Sequence, residues 1–408
     1  MKTILILATL DTKYDEALLL KKYVEDNGCR VIILDCSLRN SLHSTENMQR
    51  TDMMKRAGIS EETLSDMSKN DALQAMTRMA SLELKHMYES GMIDGAVGIG
   101  GVQGTLISSG AMQNLPVGVP KLVLSAVANG NTTFGPLVGT SDMMIMHSVV
   151  DVAGNNGILR QLMSNAASAV CGMVNHTISV PERGRMIGLT MGGVTTRCGN
   201  YIKEILEEQG YEVVIFHCNG IGATAMEMLA EEGKISAVID LTPHDVTDYL
   251  FGGIMPAGRD RYEVYKRVKV PIVIVPGCAD IILFNGKENV PEQYRKRKFV
   301  EHNKIHTHIK ADYNEMFELG KYIAEKANDF LGEASILIPV RGYSQKNFPG
   351  GVLYEPESDR GFVEAVMKYK NRRVEAEVVP LHINDREFAG MCVKKLIEMS
   401  EGREKYAG

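Results

Sequence analysis

The sequence predicts an α/β protein built from two Rossmann-like domains, each with a mostly parallel, doubly wound sheet, and with a ligand cleft between them. Three observations carry that expectation. Short continuous apolar runs, the mark of strands covered on both faces, alternate with segments of helical period. The opening pattern begins again near Arg185. A chain of 408 residues also exceeds one ordinary core, at roughly 150 residues per domain.

Thr3–Thr9 is the first apolar run, and Asp11, Lys13, Asp15 and Glu16 follow too closely for a signal peptide, so it reads as a buried strand. Tyr14, Ala17, Leu20 and Val24 share one side of the next helix, which Gly28 ends; Val31–Leu34, closed by Asp35, completes a βαβ unit. Ala96–Ile99 and Lys121–Ser125 continue the sheet, joined through Gly98–Gly104 and a helix from Thr105 to about Gln113. Residues 38–90 interrupt the alternation as a polar, Met-rich helical insertion. Its long helix starts at Asp71 and carries Ala72, Ala75, Met79 and Leu82 at helical spacing, which reads as adaptable packing and as a subdomain or dimerisation arm.

The turn-forming Pro181-Glu182-Arg183-Gly184-Arg185 marks the boundary, giving domains 1–182 and 183–408. Beyond it the opening repeats: the strand Met186–Thr190, Gly192-Gly193, a helix with Tyr201, Ile205 and Glu208, then Gly210 and Tyr211–Phe216 ending at Cys218. The spacing from Thr9 to Cys36 nearly equals that from Thr190 to Cys218, which suggests two related or convergent βαβ units. Apolar runs at Ala237–Leu241, Ile272–Val275, Ile336–Val340 and Val374–Val379 extend the second sheet. Helical patterns over Asp312–Leu331, Asp359–Tyr369 and Asp385–Met399 interleave with them.

Composition excludes several classes. The net charge of −6 provides no global basic field for nucleic acid or anionic membranes. No run approaches the ~20 apolar residues of a membrane span. Seven dispersed cysteines without a C-x-x-C pair read as reduced thiols, so a soluble cytoplasmic protein is expected.

The strongest local signal is Gly98-Ile99-Gly100-Gly101-Val102-Gln103-Gly104-Thr105, where a strand ends and a helix begins. Glycine lets backbone N–H groups approach an oxyanion and the helix terminus adds unpaired donors, so phosphate is the obvious ligand; a tight turn that merely needs glycine is the alternative. No P-loop occurs. In the first βα turn, Thr12 suits a helix cap, Lys13 a phosphate and Asp11 a hydroxyl or Mg²⁺, or the three form a solvated cap. Two loops, Asn129–Thr133 and Gly139-Thr140-Ser141-Asp142, offer hydrogen bonds to sugar or phosphate, and Asp142 is the candidate metal ligand.

In the second half, Gly192-Gly193 can form another anion nest. The segment Asp240-Leu241-Thr242-Pro243-His244-Asp245 brings an imidazole and carboxylates to a strand end, and Cys278 reads as a small buried residue, not a nucleophile. His302, His306 and His308 form the densest imidazole cluster. A single strand or helix cannot place all three on one face, so one or two are expected at the cleft. His244 and His302 are the candidate proton-transfer groups.

Taken in order, Thr9–Lys13, Gly98–Gly101, Gly139–Asp142, Ser148–Gly154 and His302-Asn303 resemble the family that includes the ATP-binding region of the plant tobamovirus-resistance protein. The resemblance covers nearly the whole chain. It implies ATP binding in the first domain and a homodimer, with Asp11, Thr12, Lys13, glycines 98, 100, 101 and 104, and Thr140 with Asp142 around phosphates or Mg²⁺. The second domain departs from the family pattern at Pro243-His244-Asp245 and at Lys310. The expected function is a cytoplasmic ATP-binding protein with a possible small anionic metabolite in the cleft. The alternatives are a lyase or hydrolase of a small phosphorylated or carboxylated metabolite, and a noncatalytic nucleotide sensor.

Overall fold

The computed structural model describes residues 1–39, 50–129, 135–178, 185–303 and 305–401. The boundary residues Pro181–Gly184, residues 130–133 of the Asn129–Thr133 loop and residues 40–49 of the insertion lie outside that set. The chain divides into two compact units, Met1–Val180 and Pro181–Gly408. Among the described residues no helix is long and apolar enough to cross a membrane.

Unit 1 runs β1 (Thr3–Ala8), α1 (Leu10–Asp26), β2 (Arg30–Asp35), α2 (Arg50–Ala57), α3 (Glu61–Ser65), α4 (Lys69–Glu89), β3 (Gly95–Gly100), α5 (Val102–Met112), β4 (Lys121–Ser125), the one-turn α6 (Gly135–Val138), β5 (Met144–His147) and α7 (Gly157–Asn175). Its five strands are parallel in the order β2-β1-β3-β4-β5. Every residue of β1 and β3 is buried, as continuous apolar runs require when helices cover both faces. α1 and α7 cover one face, with Leu20, Val24, Met163 and Val170 packed on Ile4, Ile6 and Val97.

The Met-rich insertion covers the other face. Met53, Met54, Met76, Met79 and Met87 join Ile107 and Met112 of α5 in one cluster over Leu5 and Leu7. These methionines are therefore core, with thioethers filling the irregular gap between two helix layers, whereas Leu82, expected on the same face as Ala72 and Met79, is exposed. Gly110 permits that approach, since a Cβ there would stand 2.6 Å from Thr77 Cγ2 on α4.

Unit 2 runs β6 (Met186–Met191), α8 (Thr196–Glu208), β7 (Glu212–His217), α9 (Ile221–Glu231), β8 (Ala237–Asp240), α10 (His244–Phe251), β9 (Ile272–Ile274), β10 (Ile281–Asn285), β11 (Phe299–Glu301), β12 (His306–Lys310), α11 (Tyr313–Asn328), β13 (Ala334–Pro339), α12 (Pro356–Tyr369), β14 (Val374–Val379) and α13 (Arg386–Glu401). Six parallel strands lie in the order β14-β13-β9-β8-β6-β7. Read from β7, this repeats the order of unit 1 with one strand added. α8 and α13 pack on one face, where Ile202, Leu206, Val393 and Leu396 cluster with Ile187, Ile239 and Val273. The other face holds the largest core, including Tyr262, Tyr265 and Phe330. α11 starts at a capping box in which Asp312 accepts from the Glu315 N–H and Glu315 accepts from the Asp312 N–H.

The apolar-run reading missed one feature. Between β9 and α11 the chain forms a three-stranded antiparallel sheet, β10-β12-β11. β10 is itself an apolar run, Ile281–Phe284, that the sequence reading passed over, while β11 has three residues and β12 is mostly polar, so cross-strand pairing defines them.

Candidate functional site

Parallel sheets bind ligands where the strand order reverses, beyond the carboxyl ends of the strands. In unit 1 that point lies between β1 and β3, which leads into the Gly100-Gly101 turn and α5. The cap residue Gly101 has no side chain to offer, and the first intrahelical donor with an acceptor is Thr105, 3.0 Å from the Gly101 carbonyl. The N–H groups of Val102, Gln103 and Gly104 have no acceptor among the described residues. They are three open donors at the positive end of an eleven-residue helix.

The glycines of this motif divide by role. A Cβ on Gly98 would collide with Ser108, one on Gly100 (φ +155) would stand 2.8 Å from Gly104 Cα, and one on Gly104 would stand 2.6 Å from the Ile99 carbonyl oxygen. These three let α5 seat against β3. Thr105 is likewise structural, its hydroxyl buried 2.7 Å from Ser125 Oγ. Gly101 alone of the four faces open space, with nothing within 4 Å of a Cβ.

Beside this turn is a cavity of about 500 Å³ whose walls include Asp11, Thr12, Gln103, Arg39 and Lys69. Neither Arg39 nor Lys69 has an ion-pair partner among the described residues. Sequence reasoning missed both, and the signal was a cation just after the β2 carboxylate and another opening α4. Asp11 and Thr12 line the cavity, but the first turn of α1 is not a nest. Its donors are already taken: the Leu10 N–H by Asp35 at 3.3 Å, the Asp11 N–H by Ser37 Oγ at 2.9 Å, and those of Thr12 and Lys13 by the Thr9 carbonyl. Lys13 sits at a break in the helix (φ −132, ψ 31) and does not line the cavity.

The structure does not bring Gly139, Thr140 and Asp142 to this place. β3 has six residues, so its ends are about 16 Å apart. Asp142 lies at the amino end of the sheet, paired at 2.5 Å with Lys121, the first residue of β4, and accepting the Gly118 N–H at 2.8 Å. Burial opposes its charge, but the Lys121 ammonium and the Gly118 amide together hold the carboxyl below its usual range. Gly139 (φ +56) ends α6 and packs against Gln113, at the far end of α5. Asp142, the expected metal ligand, thus neutralises Lys121, which is buried at the amino end of the sheet. Among the described residues no three His, Cys, Asp or Glu side chains could together hold a metal ion.

In unit 2 the order reverses between β6 and β8. Here β6 leads through Gly192-Gly193 into α8. The N–H groups of Gly193, Val194, Thr196 and Arg197 have no acceptor among the described residues, while Gly192 donates to Thr195 Oγ1 and Cys198 to Asn384. Beside this turn stand five imidazoles, of His217, His244, His302, His306 and His308, around a cavity of about 130 Å³.

The hairpin explains how three of them meet. β11 pairs with β12 so that Val300 faces His308, and the His302 N–H donates to the His306 carbonyl at 2.9 Å. Directly opposed residues share a face, as do residues two apart, so His302, His306 and His308 all project to one side. The expectation that they cannot do so holds for a single strand and fails for a hairpin. The rings of His302 and His308 stack at 4.8 Å. Burial, reinforced by His302, His244 and His306, lowers the pKa of His308 to about 3, and its Nδ1 has no hydrogen-bond partner among the described residues. His244 Nε2 lies 3.5 Å from Asp248 Oδ1, and the buried Asp248 carboxylate also accepts the N–H groups of Leu283 and Met255 at 2.9 Å.

Residues 2–179 match the Uncharacterised protein family (UPF0261) N-terminal domain, and residues 184–400 match its C-terminal domain. The chain belongs to the UPF0261 family. It is 36% identical over 405 residues to a UPF0261 protein of Clostridium tetani, across 98% of this chain and 99% of that one. It is 32% identical over 418 residues to the ToMV resistance protein Tm-1(GCR237) of Solanum lycopersicum, across 97% of this chain and 55% of the tomato protein. A UDP-GlcNAc 2-epimerase from Neisseria meningitidis aligns over 98% of this chain and 100% of its own at 12% identity, with a TM-score of 0.23. That score is too low to say anything of ligand or reaction.

In this UPF0261 chain two buried networks hold further polar residues, among them Asp240 and Asp245, which the sequence reading brought to a strand end, and Lys310. Asp240 and Asp245 bind Arg261 at 2.5 and 3.2 Å, with Glu227 as its third carboxylate, and Tyr262 donates to Asp240 at 2.7 Å. Burial pushes the carboxyls of Asp245 and Glu227 up and Arg261 pulls them back. Lys310, fully enclosed, pairs with Asp280 at 3.0 Å and with Asp359, and Asn347 donates to both carboxylates at 2.8 Å. Burial raises the Cys278 thiol well above its ordinary value, so it remains protonated, in accord with its reading as a small buried residue.

Proposed function

We propose that this protein binds ATP through unit 1, with the phosphates on the amides of Val102, Gln103 and Gly104. The observation that carries this reading is the set of three open donors at the strand-order reversal, next to a cavity whose about 500 Å³ suits a small-molecule ligand. Arg39 and Lys69 supply the positive charge that a triphosphate needs and that a glycine turn alone lacks. Asp11, on the same wall, takes a ribose hydroxyl or the Mg²⁺ that accompanies the nucleotide. The resemblance to the ATP-binding region of the tobamovirus-resistance family favours the same ligand. All seven cysteines are free and buried, which suits the cytoplasmic location that their dispersed spacing leads us to expect, and the resemblance implies a homodimer.

Calorimetric titration with Mg·ATP, with adenosine as control, tests the reading. The expected result is micromolar binding, about −8 kcal/mol, that depends on the phosphates. Absence of binding, or equal affinity for adenosine, overturns it.

A further inference from the structure

Unit 2 contains a second strand-order reversal with its own open donors, and the nucleotide reading of unit 1 leaves it unused. Two cavities meet at the Gly193-Val194 turn. The larger, about 610 Å³, is lined by that turn, by Thr196, Arg197 and Asn200 of α8, and by the segment around His382. The smaller is the imidazole-lined cavity, which shares Gly193 and Val194. A Cβ on Gly193 would meet nothing within 4 Å, so the turn is open where its backbone donors lie.

Open helix donors alone do not make a site, and His308 supplies the independent sign. It is 7% exposed, it lines the smaller cavity, and its buried Nδ1 has no hydrogen-bond partner among the described residues. Leaving such an atom unsatisfied is unfavourable, and a polar ligand would satisfy it. The cavity wall is also strained at Cys278, a non-glycine residue with φ +57. Strain of that kind concentrates at ligand sites. Among the described residues the stacked imidazoles do not converge as metal ligands, and the available groups are backbone amides, one guanidinium and imidazole ring nitrogens. The Asp385 carboxylate also lines the larger cavity, tied to the His382 N–H at 2.8 Å.

We propose that unit 2 binds a small oxyanion, the carboxylate or phosphate of a polar metabolite. Its charge rests on the Gly193-Val194 turn and the first turn of α8, and its remaining polar atoms reach His308 and His244. This site is independent of nucleotide binding by unit 1.

The test follows the histidine ring resonances of the full chain during titration with inorganic phosphate and, separately, with malonate, which distinguishes the two sources of the anion. Either probe is expected to shift His308 and His244 saturably, with a dissociation constant in the millimolar range or tighter. Gly193→Glu places a carboxylate in the open turn and is expected to weaken that binding by about tenfold or more. Arg197→Ala, at an exposed position, is expected to weaken it several-fold, and Gly101→Glu in unit 1 to leave it unchanged. The absence of a saturable shift with both probes overturns the proposal. So does binding that neither Gly193→Glu nor Arg197→Ala weakens.

Discussion

Gly101 and Gly104 lie three residues apart in one motif, and the structure predicts opposite consequences for changing them. Gly104→Ala places a methyl 2.6 Å from the Ile99 carbonyl oxygen, a backbone atom that cannot yield without moving β3. The gain in helix propensity is about 1 kcal/mol. Overpacking costs about 1–3 kcal/mol and more against backbone, so a net loss of about 1–2 kcal/mol is expected. For a unit of this size that lowers the melting temperature by roughly 2–8 °C. At Gly101 a Cβ meets no atom within 4 Å, and the φ of −78 lies outside the left-handed region, so Gly101→Glu is accommodated at the backbone. A carboxylate at that helix end favours folding by about 0.3–1 kcal/mol. The same charge opposes a phosphate on the neighbouring amides, so ATP affinity should fall by about tenfold or more, at 1.4 kcal/mol per factor of ten. Thermal unfolding and calorimetry read the two effects separately. The reasoning is refuted if Gly104→Ala is as stable as the parent, or if Gly101→Glu binds ATP with undiminished affinity.

Asp142→Ala should cost about 1–2 kcal/mol in urea unfolding, because Lys121 keeps only the carbonyls of Pro116 and Val119 as partners. Mg·ATP affinity should be unchanged; a large loss would restore Asp142 to the site. Arg261→Met leaves Asp240, Asp245 and Glu227 buried without their cation and should cost about 3–5 kcal/mol. A shift near zero in the urea midpoint would contradict that network. His308 has a folded pKa of about 3 against 6.5 for the free side chain, so the unfolded chain takes up its proton first. Its contribution to stability is therefore whole above pH 6.5 and is lost as the pH falls toward 3, by about 2 kcal/mol between pH 7 and pH 5. The difference between the parent and His308→Asn across that range isolates the effect, and equal pH dependence in the two proteins would count against a buried neutral imidazole.

Much of the architecture was legible because it is written in local pattern. Continuous apolar runs such as Thr3–Ala8 and Gly95–Gly100 are buried throughout, and the repeated opening at Met186 does head a second sheet of the same strand order. The glycine motif was legible as a strand-to-helix turn at the right end of the sheet. What it could not disclose was the division of labour among its glycines, since only the approach of α5 to β3 shows that Gly98, Gly100 and Gly104 serve packing while Gly101 stays open. The capping of α1 by Asp35 and Ser37 spans about one βαβ unit and is visible only once β2 lies beside β1. Asp142 looked like a ligand because a carboxylate after Thr-Ser is compatible with many roles. Its neighbour Lys121 decides which one, and that pairing is set by the register of β4 with β5. The histidine face was hidden for a similar reason. His302 joins His306 and His308 only through a tight hairpin, and the sequence between them offers Asn303, whose Oδ1 accepts the N–H groups of Ile305 and His306, as its one turn signal.

The central claim is that nucleotide phosphates sit on the open amides of α5. Amide resonances of the full-length protein, recorded with and without saturating Mg·ATP, test it most directly. The account predicts that Val102, Gln103 and Gly104 show the largest changes, with smaller ones at Asp11 and Lys69. ATP binding that leaves those three amides unperturbed, or no binding at all, would contradict it.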